Sequence, residues 1–330
     1  MLPFDEPLID AHRPAFDLTR LVLLRQRRIR GESDGGKQAE NRGDEAKFFH
    51  GCVTRAQTDI YHDNEQGKCR FSFMLRNLIR IGLTNVFFIL PLCAAEKAPA
   101  KILFIGNSYT GNNQLPNLFK EVVASGGHAA PVIKSSNPGG KTLEQHLGVK
   151  STQTLIEEGG WDVVIIQGQS QEAAMAQQYE NMRKSFMDGG KALCEMIHRK
   201  SPQARIVWYQ TWARHPDYWK AKTPDLAVGK LPEEMMARNR ASYDALAKSV
   251  PKSMVARVGE AWAMYYKAHP GKELHTGDNS HPTFAGSYLA ALVIYQSIYQ
   301  PATMKMAYRG NLTEELAAEL QKTAAANGKR

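Results

Sequence analysis

Short apolar runs alternate with amphipathic stretches along the chain from residue 101 onward. The apolar runs are typical of buried strands, and they predict strands at 101–105, 130–134, 161–167, 204–210 and 253–259. Apolar residues at helical spacing predict long helices at 115–127, 179–200, 233–250, 282–299 and 313–326. Two shorter helices are expected at 142–148 and 151–160, each ending in glycine.

Strands that alternate with helices predict crossover units, in which neighbouring strands run parallel and helices cover both faces of the sheet. We therefore expect an α/β fold, a single three-layer domain over residues 96–330 with a five-stranded parallel sheet flanked by helices. In such sheets ligands bind at the carboxyl ends of the strands. Functional residues should accordingly follow the strands directly.

Local signals refine the predicted helices. Gly189 and Gly190 are expected to interrupt the helix at 179–200, because glycine is a weak helix former. Pro282 is expected in the first turn of the helix at 282–299, and Thr313 is expected to cap the last helix.

The segment 212–234 is long and rich in aromatic residues and prolines. Irregular segments of this length are often lids or binding loops. Core or lid packing is the favoured role for some of the aromatic side chains in and near it, with stacking on sugar faces as the alternative, and these residues are Trp208, Trp212, Tyr218 and Trp219.

Residues 74–95 have the three-part order of a secretory signal peptide. Met74 is followed by Arg76 and Arg80, then by a mostly apolar run from Ile81 to Leu92, and then by small residues. The apolar run is shorter than the ~20 residues that a membrane-spanning helix needs. We therefore expect an exported protein, periplasmic or extracellular, which meets a membrane only during export or through an uncleaved signal anchor.

Residues 1–73 precede this signal and include a polar, glycine-bearing stretch without periodicity at 31–47. Such a composition cannot bury enough apolar surface to order the chain. We expect residues 1–73 to be disordered, or to lie upstream of a true translation start at Met74.

The four cysteines form no Cys-x-x-Cys pair, which argues against a structural zinc site. Cleavage after Ala94 or Ala95 would leave only Cys194 of the set Cys52, Cys69, Cys93 and Cys194. The mature chain is then expected to have no internal disulfide. Lipidation of Cys93 is the less favoured alternative, because the bulky Leu92 precedes it.

The formal net charge of +9 raises the question of a nucleic-acid partner. The lysines and arginines are scattered, apart from a cluster at 25–30, and no basic helix is interleaved with aromatic residues. We therefore expect a mildly basic surface and no nucleic-acid binding.

Polar residues follow three of the predicted strands. Ser108 follows the first strand, the pair Gly139-Gly140 follows the second, and the third is followed by Gln167, Gln169 and Ser170. Near the C-terminus, Asp278 and His281 stand three residues apart, ahead of the apolar helix at 282–299.

Together these residues can supply each role that acyl transfer requires. A serine hydroxyl is a poor nucleophile until a base takes its proton. His281 is the candidate base, because imidazole has a reference pKa near ~6.5, and Asp278 can fix its tautomer. The backbone N–H groups of Ser108 and Gly140, with a side-chain amide after the third strand, are candidate oxyanion donors, each worth roughly 2.7–4 kcal/mol.

The order of serine, glycine, amide and Asp-x-x-His resembles the SGNH (GDSL-type) serine hydrolase superfamily over residues 101–300. The resemblance implies the flavodoxin-like fold of that superfamily, Ser108 as nucleophile, Gly140 as oxyanion donor, and Asp278 and His281 as the other triad members. The first block of the family reads Gly-Asp-Ser, and here Asn107 replaces the aspartate.

The third block departs from the usual Gly-x-Asn-Asp of the family, because residues 167–172 read QGQSQE. It is more similar to the Gln-Gly-Glu-Ser block of the sialate O-acetylesterase-like branch, or to an uncharacterised branch with Gln-x-Gln-Ser. In the first case Gln167 supplies the amide of the oxyanion hole. Gln169 and Ser170 stay open as alternatives and, with Asn107, are the candidate substrate-binding residues.

These observations predict an exported serine esterase without metal or organic cofactor. Its expected substrates are small acyl esters, and O-acetyl groups on carbohydrate are the favoured class. One alternative is an SGNH protein that binds glycan without catalysis or transfers acyl groups. Another is an FMN-binding carrier, since residues 108–113 also resemble a flavodoxin phosphate loop; that alternative gives no role to Asp278 and His281.

Overall fold

The computed structural model describes residues 98–328 except 223, 224 and 272. The predictions for residues 1–73 and for the signal segment 74–95, including three of the four cysteines, lie outside the described residues. Within the described part, none of the helices combines the length and the hydrophobicity that a membrane crossing requires.

Five parallel strands form one sheet, and their bounds are Lys101–Ile105 (β1), Val132–Ser136 (β2), Val163–Ile166 (β3), Arg205–Tyr209 (β4) and Ser253–Ala256 (β5). Their order across the sheet is β2-β1-β3-β4-β5. The five predicted strands are confirmed, and their ends shift by no more than three residues. The chain reverses its direction across the sheet between β2 and β3, so the loops after β1 and β3 meet at one place on the carboxyl edge.

Helices connect the strands and follow the last one. In chain order they are Ser108–Gly111 (α1), Leu115–Ser125 (α2), Leu143–His146 (α3), Lys150–Glu158 (α4), Glu172–Met175 (α5), Glu180–Lys200 (α6), Pro232–Ser249 (α7), Val258–Ala268 (α8), Phe284–Tyr299 (α9) and Glu314–Asn327 (α10). Short 3₁₀ turns lie at Asn112–Gln114, Pro216–Lys220 and Leu226–Val228.

Side chains of the central strands β1, β3 and β4 alternate between two apolar layers, as the pleat of a strand requires. Ile102 and Phe104 of β1 pack on one face with α2, α8, α9 and α10. Leu103 and Ile105 pack on the opposite face with residues of α3 to α7. The four side chains have no exposed surface, so the sheet is the buried middle layer and the predicted three-layer fold is confirmed.

The glycine pair does not interrupt its helix, because α6 runs without a break from 180 to 200. A Cβ at Gly189 would lie 2.5 Å from the backbone nitrogen of Glu144, and one at Gly190 would press on Leu246. Gly189 therefore lets the backbone of α3 approach α6 closely, and Gly190 leaves room for the side chain of Leu246 from α7. The prediction was wrong because tertiary packing overrides a weak intrinsic propensity.

Three other boundaries test the local signals. Helix α9 begins at Phe284, and the side chain of Thr283 caps it by accepting the N–H of Gly286, so Pro282 lies before the helix. Thr313 caps α10 as predicted, through the N–H of Leu316. Helix α8 was not predicted, because its first residues were read as the end of the fifth strand.

Candidate active site

The turn after β1 presents Ser108 at the carboxyl edge of the sheet. Gly106 fits the turn because a Cβ there would lie 2.3 Å from the hydroxyl of Thr110 and 2.8 Å from the side-chain oxygen of Gln167. Asn107 caps α1, with its side-chain oxygen accepting the N–H of Tyr109 at 3.1 Å. Ser108 is thus the first residue of a helix, whose first N–H groups have no partner within the helix.

The structure brings Ser108, His281 and Asp278 together. The hydroxyl of Ser108 lies 2.9 Å from Nε2 of His281, although the two residues are 173 positions apart in the chain. Nδ1 of His281 lies 2.5 Å from a carboxylate oxygen of Asp278. Because an ionised carboxylate only accepts hydrogen bonds, Nδ1 carries the proton and Nε2 is free to accept the hydroxyl proton of Ser108.

The turn at 276–281 organises the Asp278 carboxylate from within. Its second oxygen accepts hydrogen bonds from the N–H groups of Ser280 and His281, each at 2.9 Å, and from the hydroxyl of Thr276 at 2.8 Å. Partial burial would raise the pKa of Asp278, but the hydrogen bonds, led by that from His281, outweigh it and hold the pKa well below its ordinary value. The carboxylate therefore stays ionised in neutral solution.

Backbone and aromatic contacts fix this turn to the sheet. The indole N–H of Trp212 donates to the carbonyl of Ser280 at 3.0 Å, and the N–H of His215 donates to the carbonyl of Asn279 at 3.1 Å. The edge of the Tyr109 ring meets the His281 ring at a centroid distance of 5.5 Å. Two stacked pairs continue below the histidine, Tyr109 with Trp212 and Trp212 with Trp262.

The aromatic segment divides into buried and partly exposed residues. Trp208 and Trp212 are at most 1% exposed, so their predicted alternative role in stacking on sugars is wrong and core packing is their role. Tyr218 and Trp219 lie in the 3₁₀ turn at Pro216–Lys220 and are half-buried. Only these two of the four candidates retain ring surface that a ligand can reach.

The loop after β2 lies against the serine turn. The side-chain amide of Asn107 donates to the carbonyl of Lys141 at 3.3 Å, which ties the Gly140 loop to α1. Gly140 is exposed, has a φ of +71°, and has open space where a Cβ would stand. The open space and the left-handed backbone both suit a glycine whose backbone approaches a ligand.

Gln167 does not occupy the position of an oxyanion donor. Its side chain is fully buried, and its oxygen accepts the N–H of Asn107 at 3.1 Å and the hydroxyl of Thr110 at 3.0 Å. Its amide nitrogen donates to the carbonyl of Gly168. The geometry argues against the predicted oxyanion role, because the fully buried side chain clamps the serine turn and its amide nitrogen is engaged by the carbonyl of Gly168.

The three predicted substrate-binding residues also have partners within the protein. Both polar atoms of the Asn107 side chain are used, as described above. The side-chain oxygen of Gln169 accepts the N–H groups of Gln171 and Glu172 at 2.7 and 3.1 Å, which caps α5. The hydroxyl of Ser170 accepts a hydrogen bond from Arg214 at 3.1 Å. These contacts place the residues around the site and give each a structural function.

Two buried titratable residues that the sequence analysis missed hold the loops on this side. Oε2 of Glu172 lies 3.3 Å from the N–H of Leu143 and 3.1 Å from that of Gln169, and Oε1 lies 2.8 Å from the hydroxyl of Ser185. Burial raises the pKa of Glu172 to about 7, against the lowering effect of these hydrogen bonds. Glu172 thus links the loops that follow β2 and β3.

His146 is the second buried titratable residue that the sequence analysis missed, and it supports the serine turn. Its Nε2 lies 3.0 Å from the carbonyl of Gly106, and its Nδ1 lies 2.8 Å from the hydroxyl of Thr152. Burial lowers the pKa of His146 to about 4. Neutral imidazole therefore donates to Gly106 and accepts from Thr152. Nothing in the local sequence around 146 or 172 marks these side chains as buried.

The fold is similar to that of a DUF4886 family protein from Bacteroides uniformis, with 18% identity, a TM-score of 0.56, and coverage of 68% of this chain and 93% of that chain. A lipase/acylhydrolase from Enterococcus faecalis aligns at 17% identity over 63% of this chain and 100% of that chain, with a TM-score of 0.42. A variant of an acetyl xylan esterase from Geobacillus stearothermophilus aligns at 16% identity over 61% of this chain and 95% of that chain, also at 0.42.

No model of a protein family and no curated protein matches the chain. The likeness to the Bacteroides uniformis protein confirms the predicted fold class. At this level of identity the similarity shows the fold, and the activity has to be inferred from the residues of the site.

Proposed function

We propose that this protein is a serine esterase that cleaves small acyl esters through an acyl-enzyme. The observation that carries the proposal is the continuous hydrogen-bonded path from the Ser108 hydroxyl through His281 to the Asp278 carboxylate. A hydroxyl, an imidazole and an ionised carboxylate in this order form the arrangement that activates a serine nucleophile.

In the first half-reaction, Nε2 of His281 takes the hydroxyl proton as Oγ of Ser108 attacks the ester carbonyl carbon. The carbonyl oxygen becomes an oxyanion, for which the N–H groups of Ser108 and Gly140 are the proposed donors. When the C–O bond to the alcohol breaks, His281 gives its proton to the leaving oxygen. The acyl group then remains on Ser108.

In the second half-reaction, water takes the place of the alcohol. His281 removes a proton from the water as it attacks the acyl carbon, and then gives this proton to Oγ of Ser108 as the bond between Oγ and the acyl carbon breaks. Asp278 stabilises the imidazolium in both halves, since its low pKa keeps it ionised throughout. The products are the carboxylic acid and the regenerated serine.

We further propose that the ester is an O-acetyl group on a carbohydrate and that the protein acts after export. The resemblance of the third block to the sialate O-acetylesterase-like branch supports the acyl group. The half-buried rings of Tyr218 and Trp219 support a sugar, because sugar faces stack on aromatic rings. The signal-like segment 74–95 supports export.

Turnover of para-nitrophenyl acetate by Ser108→Ala tests the esterase proposal. Loss of the nucleophile should lower kcat by about 10³–10⁶-fold. Circular dichroism of the variant should be unchanged, because Ser108 is a half-buried residue at the start of a short helix and alanine is a good helix former. Turnover equal to that of the native protein would show that Ser108 is not the nucleophile.

Mass spectrometry of the protein purified from its own cells tests export. We expect a mature N-terminus directly after Ala94 or Ala95. A peptide from residues 1–70 in the mature protein would contradict the proposed start and signal.

A further inference from the structure

Arg214 is a buried cation at the carboxyl edge of the sheet, five residues after the end of β4. The residue is 9% exposed. Its Nη1 donates to the hydroxyl of Tyr109 at 2.7 Å, and its Nη2 donates to the hydroxyl of Ser170 at 3.1 Å. Its Nε is buried and has no hydrogen-bond partner among the described residues.

Arg214 has no carboxylate partner at ion-pair distance within the described part of the chain. Both of its hydrogen-bond partners are neutral hydroxyls, and no Asp or Glu among the described residues forms an ion pair with it. The neighbouring His275 is neutral, since burial lowers its pKa to about 3, with the charge of Arg214 acting in the same direction. A buried guanidinium without an anion is costly, so such groups normally have one.

The guanidinium lies one side chain away from the reacting groups. Tyr109 directly follows Ser108, and its hydroxyl lies 2.9 Å from that of Ser280, which directly precedes His281. Ser170 belongs to the loop after β3, beside the serine turn. Arg214 therefore borders the place where the ester must lie.

A purely structural role, in which Arg214 links the hydroxyls of Tyr109 and Ser170, would not explain why a charged residue is buried here. A guanidinium has five N–H donors, and the contacts to Tyr109 and Ser170 occupy two of them. The remaining N–H groups, in the planar fork of the guanidinium, match the two oxygens of a carboxylate.

We propose that Arg214 is a specificity-determining residue that pairs with a carboxylate on the substrate. The inference rests on the proposed esterase function and narrows it to esters of acidic molecules, of which an acetylated uronic acid is the type that fits the proposed carbohydrate. The carboxylate enters with the substrate and neutralises the guanidinium, so an acidic ester binds more tightly than its neutral counterpart.

Two matched ester pairs test this, one for each side of the ester bond. Acetylated methyl glucoside and acetylated methyl glucuronide differ by a carboxylate on the alcohol, whereas para-nitrophenyl acetate and para-nitrophenyl hemisuccinate differ by one on the acyl group. The native protein should have a kcat/KM about 10–100-fold higher for the acidic member of at least one pair. The pair that responds identifies which side carries the carboxylate.

Arg214 variants locate the effect. Arg214→Gln should abolish the preference, mainly through a higher KM for the acidic ester, and Arg214→Lys should keep part of it because the charge remains. Tyr109→Phe is the matched control, since it removes one hydrogen bond of Arg214 and leaves the charge of Arg214 in place. It should lower kcat/KM for the acidic and the neutral ester of a pair by the same factor.

Two results would overturn the inference while leaving the esterase proposal standing. One is equal kcat/KM of the native protein for acidic and neutral members of both pairs. The other is an equal loss of kcat/KM for the acidic and the neutral ester in Arg214→Gln, which would show that Arg214 has only a structural role.

Calorimetry of glucuronate and succinate gives a readout without turnover. We expect at least one of these anions to bind the Ser108→Ala variant and to show no binding to the double variant Ser108→Ala/Arg214→Gln. This expectation holds even if no tested ester is cleaved. Absence of binding of both anions to Ser108→Ala would also overturn the inference.

Discussion

The two sides of the nucleophile are built in different ways. On the histidine side, the turn at 276–281 holds its own carboxylate through neighbouring N–H groups, and Asp278 and His281 are partly exposed, at 48% and 36%. On the opposite side, the loops are held from below by fully or almost fully buried polar side chains, Gln167, His146 and Glu172. The first side is a local motif, whereas the second is a network of residues distant in the chain.

This difference explains which parts of the site the sequence revealed. Asp278 and His281 were recognisable because their interaction depends on a spacing of three residues within one turn. Gln167 was assigned a wrong role, because a polar residue after a strand was expected to face a ligand, and its burial depends on Asn107 and Thr110, about 60 positions earlier. Local sequence carries no record of such long-range partners.

The fold was more predictable than the site for a related reason. Burial of the central strands β1, β3 and β4 on both faces requires a continuous apolar run, which the sequence displays directly. The edge strand β2 is mostly exposed, and its apolar run is correspondingly weaker. The errors fell where one element's geometry depends on another, as at Gly189, whose lack of a side chain serves the backbone at Glu144. Arg214 had one usable signal, its position shortly after a strand at the carboxyl edge.

The largest effect is expected on the histidine side, from Asp278→Asn. An asparagine can donate to Nδ1 of His281 and so favour the tautomer that has its proton on Nε2, which cannot accept from Ser108. We expect kcat to fall by about 10³–10⁴-fold. Tm at neutral pH should fall modestly, because the ionised carboxylate accepts hydrogen bonds within the turn but is partly exposed. Steady-state kinetics and thermal denaturation measure both, and a loss below tenfold would separate Asp278 from catalysis.

The next effect is expected on the buried side, from Gln167→Leu. The N–H of Asn107 and the hydroxyl of Thr110 lose their acceptor, which should cost on the order of 2–4 kcal/mol of stability. The serine turn should shift, and kcat/KM should fall about 10–100-fold. Urea denaturation and ester turnover are the measurements.

Gln167→Glu is the matched control for the clamp. It keeps an acceptor for Asn107 and, when protonated, a donor for Gly168, so it should lose less stability than Gln167→Leu. A Gln167→Leu variant with native stability and kcat reduced by more than about 10²-fold would instead support the oxyanion role.

A smaller, pH-dependent effect should distinguish Glu172. In the folded chain the Glu172 carboxyl stays protonated up to about pH 7, whereas the ordinary pKa of this group is 4.5. Between these two pH values the folded state therefore binds more protons than the unfolded state. The stability that Glu172 contributes therefore falls as the pH rises through this window, by on the order of 1–3 kcal/mol.

Glu172→Gln imitates the protonated carboxyl, with an oxygen for two N–H groups and a donor toward Ser185. Relative to the native protein, the variant should gain Tm steadily as the pH is raised from about 4.5 to 7. Thermal denaturation across this range is the measurement, and a constant difference in Tm would show that Glu172 does not titrate there.

The smallest effect concerns the backbone of the histidine turn. Asn279 has a φ of +62°, a conformation that alanine adopts with strain and glycine adopts freely. Asn279→Ala should lower stability by roughly 1–2 kcal/mol, and Asn279→Gly should be closer to the native protein. Equal Tm values for the two variants would contradict the proposed role of the backbone conformation.

The most direct test of the active site is the position and rate of covalent labelling by a fluorophosphonate. We expect peptide mapping to find the adduct on Ser108 of the native protein, and labelling to become at least about 10²-fold slower in His281→Ala, because the base no longer takes the hydroxyl proton. An adduct on another residue, or an unchanged labelling rate in His281→Ala, would contradict the assignment of Ser108, His281 and Asp278 as one catalytic unit.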